Sequence, residues 1–148
     1  MKLIIIFLTF ISLYATNMQI LAKHFEYNQI KHISKFIGDV NVTKEKDNIL
    51  TDTLIIYTDK HKKLSKLIAI GNVKFKINDK NTTYIGKSKK LTYIKPKELF
   101  ILEGNVHITQ LPSNQQLFGE KVIIDKKSGT ANIAGDKNKP LKFIIKVN

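Results

Sequence analysis

A short phrase, glycine then Asn or Asp then valine, opens an alternating stretch at three places. "GDVNVT" begins at Gly38, "GNVKFK" at Gly71 and "GNVHIT" at Gly104, an interval of 33 residues both times. Each phrase leads into period-two hydrophobicity, with Val40 and Val42 opposite Asn41 and Thr43, Val73, Phe75 and Ile77 opposite Lys74 and Lys76, and Val106 and Ile108 opposite His107 and Thr109. Side chains that alternate in this way lie on a strand with one face buried. A fixed interval between such strands means that one supersecondary unit is written repeatedly. Units of this kind bury their apolar faces only by stacking on their neighbours.

Each unit holds a second strand. "TDTLIIY" ends at Tyr57, "KKLTYI" surrounds Tyr93 and "GEKVIID" ends at Asp125, and each is followed by a polar, lysine-rich turn. An earlier copy is "MQILAKHFEY", ending at Tyr27, and a weakened late copy surrounds Gly135. Glycine at the recurring site can take positive φ or open a bulge, which re-aims the chain between two strands. The expectation is an all-β domain of antiparallel strands, with no helix longer than about two turns after the N-terminal segment. The first strand (Met18 to Tyr27) and the last (Leu141 to Val147, alternating through Phe143 and Ile145) have sequence neighbours on one side only. In an open sheet both would leave unpaired backbone groups at an edge.

"MKLIIIFLTFISLYA" has a positive start at Lys2 and an apolar run from Leu3 to Tyr14, too short for a membrane span of roughly 20 residues but of the length of a signal-peptide core. Cleavage after Ala15 leaves the first strand intact, whereas cleavage after Ala22 would destroy it. The expected organisation is therefore a signal peptide over 1–15 and one β domain over 16–148. The formal net charge is +13, and every basic residue is lysine. Such an excess suits anionic partners, although a chain with no arginine and abundant Lys, Ile and Asn also has a purely compositional explanation.

The absence of chemistry is informative. Without cysteine there is no thiolate nucleophile, disulfide or cysteine metal site. The histidines (His24, His32, His61 and His107) never fall at metal-ligand spacing, the acidic residues form no catalytic pair, and no phosphate loop or serine elbow occurs. The expectation is a binding or structural protein, not an enzyme, with no cofactor and no metal. Nucleic acid is not expected either, because aromatics such as Phe75 alternate with lysines and so face away from them, whereas sheet-based readers present both together.

The order and spacing of these strands, from about Met18 to Val147, resemble the OstA-like family of lipopolysaccharide-transport proteins, and among its members the soluble periplasmic bridge type. "MQILAKHFEYNQIKHISKFIGDVNVTKEKDNILTDTLIIY" carries most of the likeness, with Lys23 standing where members have an acidic residue. The resemblance implies a twisted, slightly open antiparallel β-jellyroll in the periplasm, whose inner groove takes the acyl chains of lipid A. With strand parity, it implies lipid-facing positions at Met18, Ile20, Phe36, Val40, Phe75, Tyr93, Phe100, Leu102, Val106 and Ile108. It also implies head-to-tail self-association and partners with related domains in the inner and outer membranes. Two other readings stand beside it: a membrane-anchored component of the same pathway that keeps its N-terminal helix, and a β-solenoid surface or structural protein.

Overall fold

The computed structural model describes residues 18–79 and 81–147. The expected signal segment, 1–15, lies outside them. The described residues form ten strands: β1 (Met18–Leu21), β2 (His24–Asn28), β3 (Ile33–Lys44), β4 (Asp47–Thr58), β5 (Leu64–Asp79), β6 (Thr82–Ile94), β7 (Leu99–Leu111), β8 (Gln115–Asp125), β9 (Thr130–Ala134) and β10 (Lys142–Ile144). All pairings are antiparallel and all strands belong to one sheet, in the order β1-β3-β4-β5-β6-β7-β8-β10, with β2 also on β3 and β9 also on β8.

The recurring phrase explains how one sheet becomes two layers. Gly38, Gly71 and Gly104 have φ of 90°, 90° and 88°, and the residues after them, Asp39, Asn72 and Asn105, have φ of 44°, 48° and 47°. Two consecutive left-handed residues thus interrupt β3, β5 and β7. Only glycine takes the first conformation without strain, and Asn and Asp are among the few side chains that tolerate the second. The register shifts at each site, between Ile37 and Val40, Leu50 and Thr53, Ile70 and Val73, Lys87 and Lys90, and Glu103 and Val106. A bulge bends its strand, and aligned bulges crease the whole sheet. The glycine therefore sits within one long strand instead of joining two short ones, the arrangement expected from the sequence.

Each side of the crease is a layer of eight strand segments. Layer A runs from β2 through the 33–37 part of β3 to the 121–125 part of β8 and then β9. Layer B runs from β1 through the 40–44 part of β3 to the 115–119 part of β8 and then β10. The layers share one apolar core, with Leu54, Ile56, Val40, Val73, Val106 and Val122 among its most deeply buried side chains. Small polar residues sit at the crease. The Thr51 hydroxyl lies 3.1 and 3.0 Å from the carbonyls of Ile70 and Gly71, and Ser88 donates to the Lys90 carbonyl at 3.1 Å. These contacts satisfy buried hydroxyls where the strands bend.

Both termini differ from the sequence expectation in detail. The expected first strand is split at Ala22-Lys23, because its two parts pair with β3 on opposite sides of the Gly38 crease. Lys23 itself lies at the crease, where its ammonium meets Asp39 at 3.0 Å. The expected last strand is paired only over Lys142–Ile144.

Gly104 tests the crease. A Cβ there would lie 2.7 Å from the Cβ of Lys89, which is fixed to its own backbone, in addition to the strain of φ 88°. Gly104→Ala is expected to destabilise the fold by about 1–3 kcal/mol. Gly129→Ala, also at positive φ but with open space around its Cβ, is expected to cost less. Urea unfolding of the two variants measures the difference, and equal losses would remove the crease from the account.

Candidate functional site

Cross-strand register places the inner side chains in rows perpendicular to the strands. In layer A one row runs Phe25, Phe36, Leu54, Ala69, Leu91, Leu102, Val122, Ile133, one residue from each segment. In layer B the matching row runs Ile20, Val42, Ile49, Phe75, Gly86, Ile108, Leu117, Phe143. No residue in either row is polar. With eight segments at the usual strand spacing of about 4.8 Å, each row spans about 34 Å from edge to edge. The single gap, at Gly86, is filled by the neighbouring Phe75 ring, whose Cζ occupies the space a Cβ would need.

The side chains singled out from the sequence all lie on this inner surface, at two depths. Phe36, Val40, Phe75, Leu102 and Val106 are buried in the packed interior. Met18, Ile20, Tyr93 and Ile108 are half-buried against it. Phe100 is half-buried too, paired in register with Tyr93 and stacked on it with ring centroids 4.4 Å apart. Burial raises the Tyr93 phenol pKa above its ordinary value, with Glu98 adding to the effect. The phenol stays neutral at physiological pH. Lys126 reaches over the Phe100 ring at 5.4 Å from outside.

Sequence reasoning missed half of the surface. Phe25, Leu54, Ile56, Leu67, Leu91, Leu117, Val122 and Ile133 all belong to it. The alternation that marks β3, β5 and β7 is blurred on the even strands. In "TLIIY" three apolar residues are consecutive, and the structure turns Leu54 and Ile56 inward and leaves Ile55 half-exposed on the opposite face. The signal that would have found them is register: a residue paired with an inward residue also faces inward.

Chemically, the two central rows offer apolar contact alone. Among the described residues no group of three His, Asp or Glu side chains could hold a metal ion. The inner polar atoms include the crease hydroxyls of Thr51 and Ser88, already hydrogen-bonded to backbone, together with the buried Ser34 hydroxyl and the Tyr93 phenol. The surface can hold hydrocarbon by burial, worth about 1.5–3 kcal/mol for a side chain otherwise exposed, while those already buried exchange one apolar contact for another. It can do so at many positions along its length without a specific pocket.

The sheet does not close. Among the described residues β1 and β2 pair only with β3, and β9 and β10 pair only with β8, so within those residues each layer ends in an open edge at both ends of the apolar rows.

Among solved structures, the chain is similar to LptH, the LptA-homologous periplasmic component of the lipopolysaccharide transport device from Pseudomonas aeruginosa. The TM-score is 0.76 over 90% of this chain and 97% of that one, at 14% sequence identity, a likeness of fold. No curated protein matches the chain in sequence. The family model described as LptA/(LptD N-terminal domain) LPS transport protein matches residues 19–130, which takes in every complete Gly-[Asn/Asp]-Val unit, and the chain belongs to that family.

Proposed function

We propose that this protein is a non-enzymatic carrier of lipopolysaccharide, which it moves through the periplasm from the inner to the outer membrane along the groove between its two layers. The observation that carries this reading is the pair of opposed apolar rows running without a polar interruption from one open edge of the sheet to the other. A groove of uniform chemistry suits a ligand that slides. The acyl chains of lipid A would part the layers and replace contacts now made between facing side chains, so the exchange is apolar for apolar and its net cost is small. The lipid-facing side chains are then Met18, Ile20, Phe36, Val40, Phe75, Tyr93, Phe100, Leu102, Val106 and Ile108. Residues 1–15 direct export and are removed, leaving 16–148 as the working domain.

The open edges support a bridge. Joining the β9/β10 edge of one copy to the β1/β2 edge of the next would satisfy unpaired backbone groups and align two grooves end to end. Phe143 and Ile133 end the rows on one side, Ile20 and Phe25 on the other, so the junction is apolar as well. Such a contact is heterologous and extends instead of closing. Related domains in inner- and outer-membrane components would dock by the same edges.

Two experiments test this. A photo-crosslinking residue at Phe75 is expected to capture lipopolysaccharide, whereas one at Lys74, adjacent and on the opposite face, is not. Equal capture at both sites would contradict the inner groove. In analytical ultracentrifugation the protein is expected to show open-ended, concentration-dependent association. Phe143 and Ile144 are adjacent, so one of them points its N–H away from β8, and proline at that position should weaken association by removing an edge donor. A protein that stays monomeric at high concentration would replace the bridge with a shuttle.

A further inference from the structure

The outer face of layer B carries charge that the fold does not use. In register, Lys74 of β5 lies directly opposite Lys87 of β6, and Lys76 sits one row further out, beside Ile85. Directly opposed like charges destabilise a sheet. Among the described residues no carboxylate comes within ion-pair distance of any of the three lysines; the ion pairs there are Lys23 with Asp39 and His24 with Glu26. Further along the same row, His107 stacks on Phe118 with centroids 4.2 Å apart, and Lys142 reaches over Phe118 from the other side at 5.3 Å.

Exposed aliphatic groups are interleaved with these cations. Leu50, in register with Lys74, is 40% exposed, and Ile85, in register with Lys76, is 41% exposed. Leu50, Lys74, Lys76, Ile85 and Lys87 line one shallow depression. The outer face of layer A is different in kind, since its rows include the acidic residues Glu26, Glu103 and Asp125.

We propose that the outer face of layer B, centred on Lys74, Lys76 and Lys87 with Leu50 and Ile85 between them, docks on the anionic phospholipid surface of a membrane. The complementarity is of two kinds. Unpaired ammonium groups meet headgroup phosphates, and the aliphatic side chains among them enter the interfacial zone, as on other basic amphipathic surfaces. The cations and aliphatic groups are spread over adjacent strands and two rows of one sheet face, which fits an extended anionic surface better than a compact soluble anion. An anionic membrane also relieves the Lys74–Lys87 repulsion that the isolated protein retains. The inference is independent of the carrier reading, because it concerns the opposite face of the sheet and a different lipid.

The test is co-sedimentation of the purified protein with vesicles of phosphatidylglycerol or of phosphatidylcholine, neither containing lipopolysaccharide. Binding is expected to phosphatidylglycerol, to weaken as salt is raised, and to be absent on phosphatidylcholine. Each lysine near an anionic surface contributes about a fivefold gain in partitioning, so the triple variant K74Q/K76Q/K87Q is expected to lose about a hundredfold. The variant K60Q/K63Q/K97Q removes the same charge from exposed turns at the far end of layer A and is expected to bind nearly as well as the unaltered protein. The thermal midpoint of K74Q/K76Q/K87Q is expected to be unchanged or raised, since a repulsive pair has been removed. Equal losses in the two triple variants, equal binding to both lipids, no binding to phosphatidylglycerol, or a lowered midpoint in K74Q/K76Q/K87Q would each overturn the proposal.

Discussion

The architecture depends on two consecutive left-handed residues placed in the middle of a paired strand. Without them, β3, β5 and β7 would run straight and the chain would form one wide sheet with an apolar face open to water. With them, at a common interval, the six long strands β3 to β8 bend along the same line and that face closes on itself. Each such residue carries a conformational cost, lowest for Gly, Asn and Asp. The return is burial of a continuous core contributed by the six strands β3 to β8, with side chains of β1, β2 and β9 packed against it. The interval of the phrase is thus the geometric specification of the fold: a different interval in one unit would take its bulge off the crease.

The crease also fixes what the inner surface can do. Because register is continuous across each layer, whatever chemistry one strand places on the inner face is extended by the next, and the rows stay apolar from edge to edge. The small residues are where the rows meet geometric limits. Thr51 and Ser88 fit at the bend, and Gly86 admits the Phe75 ring. Isolated single-sheet edges usually carry devices that prevent pairing. Here the edges end in Ile20, Phe25, Ile133 and Phe143, and Phe143 remains 49% exposed. On the bridge reading proposed above, these apolar row ends would meet those of a second copy or a related domain.

Much of this was legible in the sequence because glycine, Asn and Asp report backbone conformation directly. The positions of Gly38, Gly71 and Gly104 gave the unit, and the alternation after them gave the inner parity of Val40, Phe75, Val106 and Ile108. The even strands were harder to read. "TLIIY" offers apolar residues to both faces, and only pairing with β3 and β5 decides that Leu54 and Ile56 turn inward. The break at Ala22-Lys23 was not legible, since nothing local to those residues marks it; it follows from the bulge at Gly38, far along the chain, which separates the partners of β1 and β2. The unpaired lysines of layer B were visible as charge, but their adjacency exists only in the register of β5 against β6.

The central claim is that hydrocarbon occupies the space between the layers. Methyl-resolved NMR of Ile, Leu and Val side chains, titrated with lipopolysaccharide, tests it most directly. The account predicts perturbation of inner methyls in both layers, at Leu54, Leu102, Val73 and Ile108, while Ile55 and Ile68 on the outside of layer A stay unchanged. Perturbation confined to the outer face, with the inner methyls silent at saturation, would contradict it.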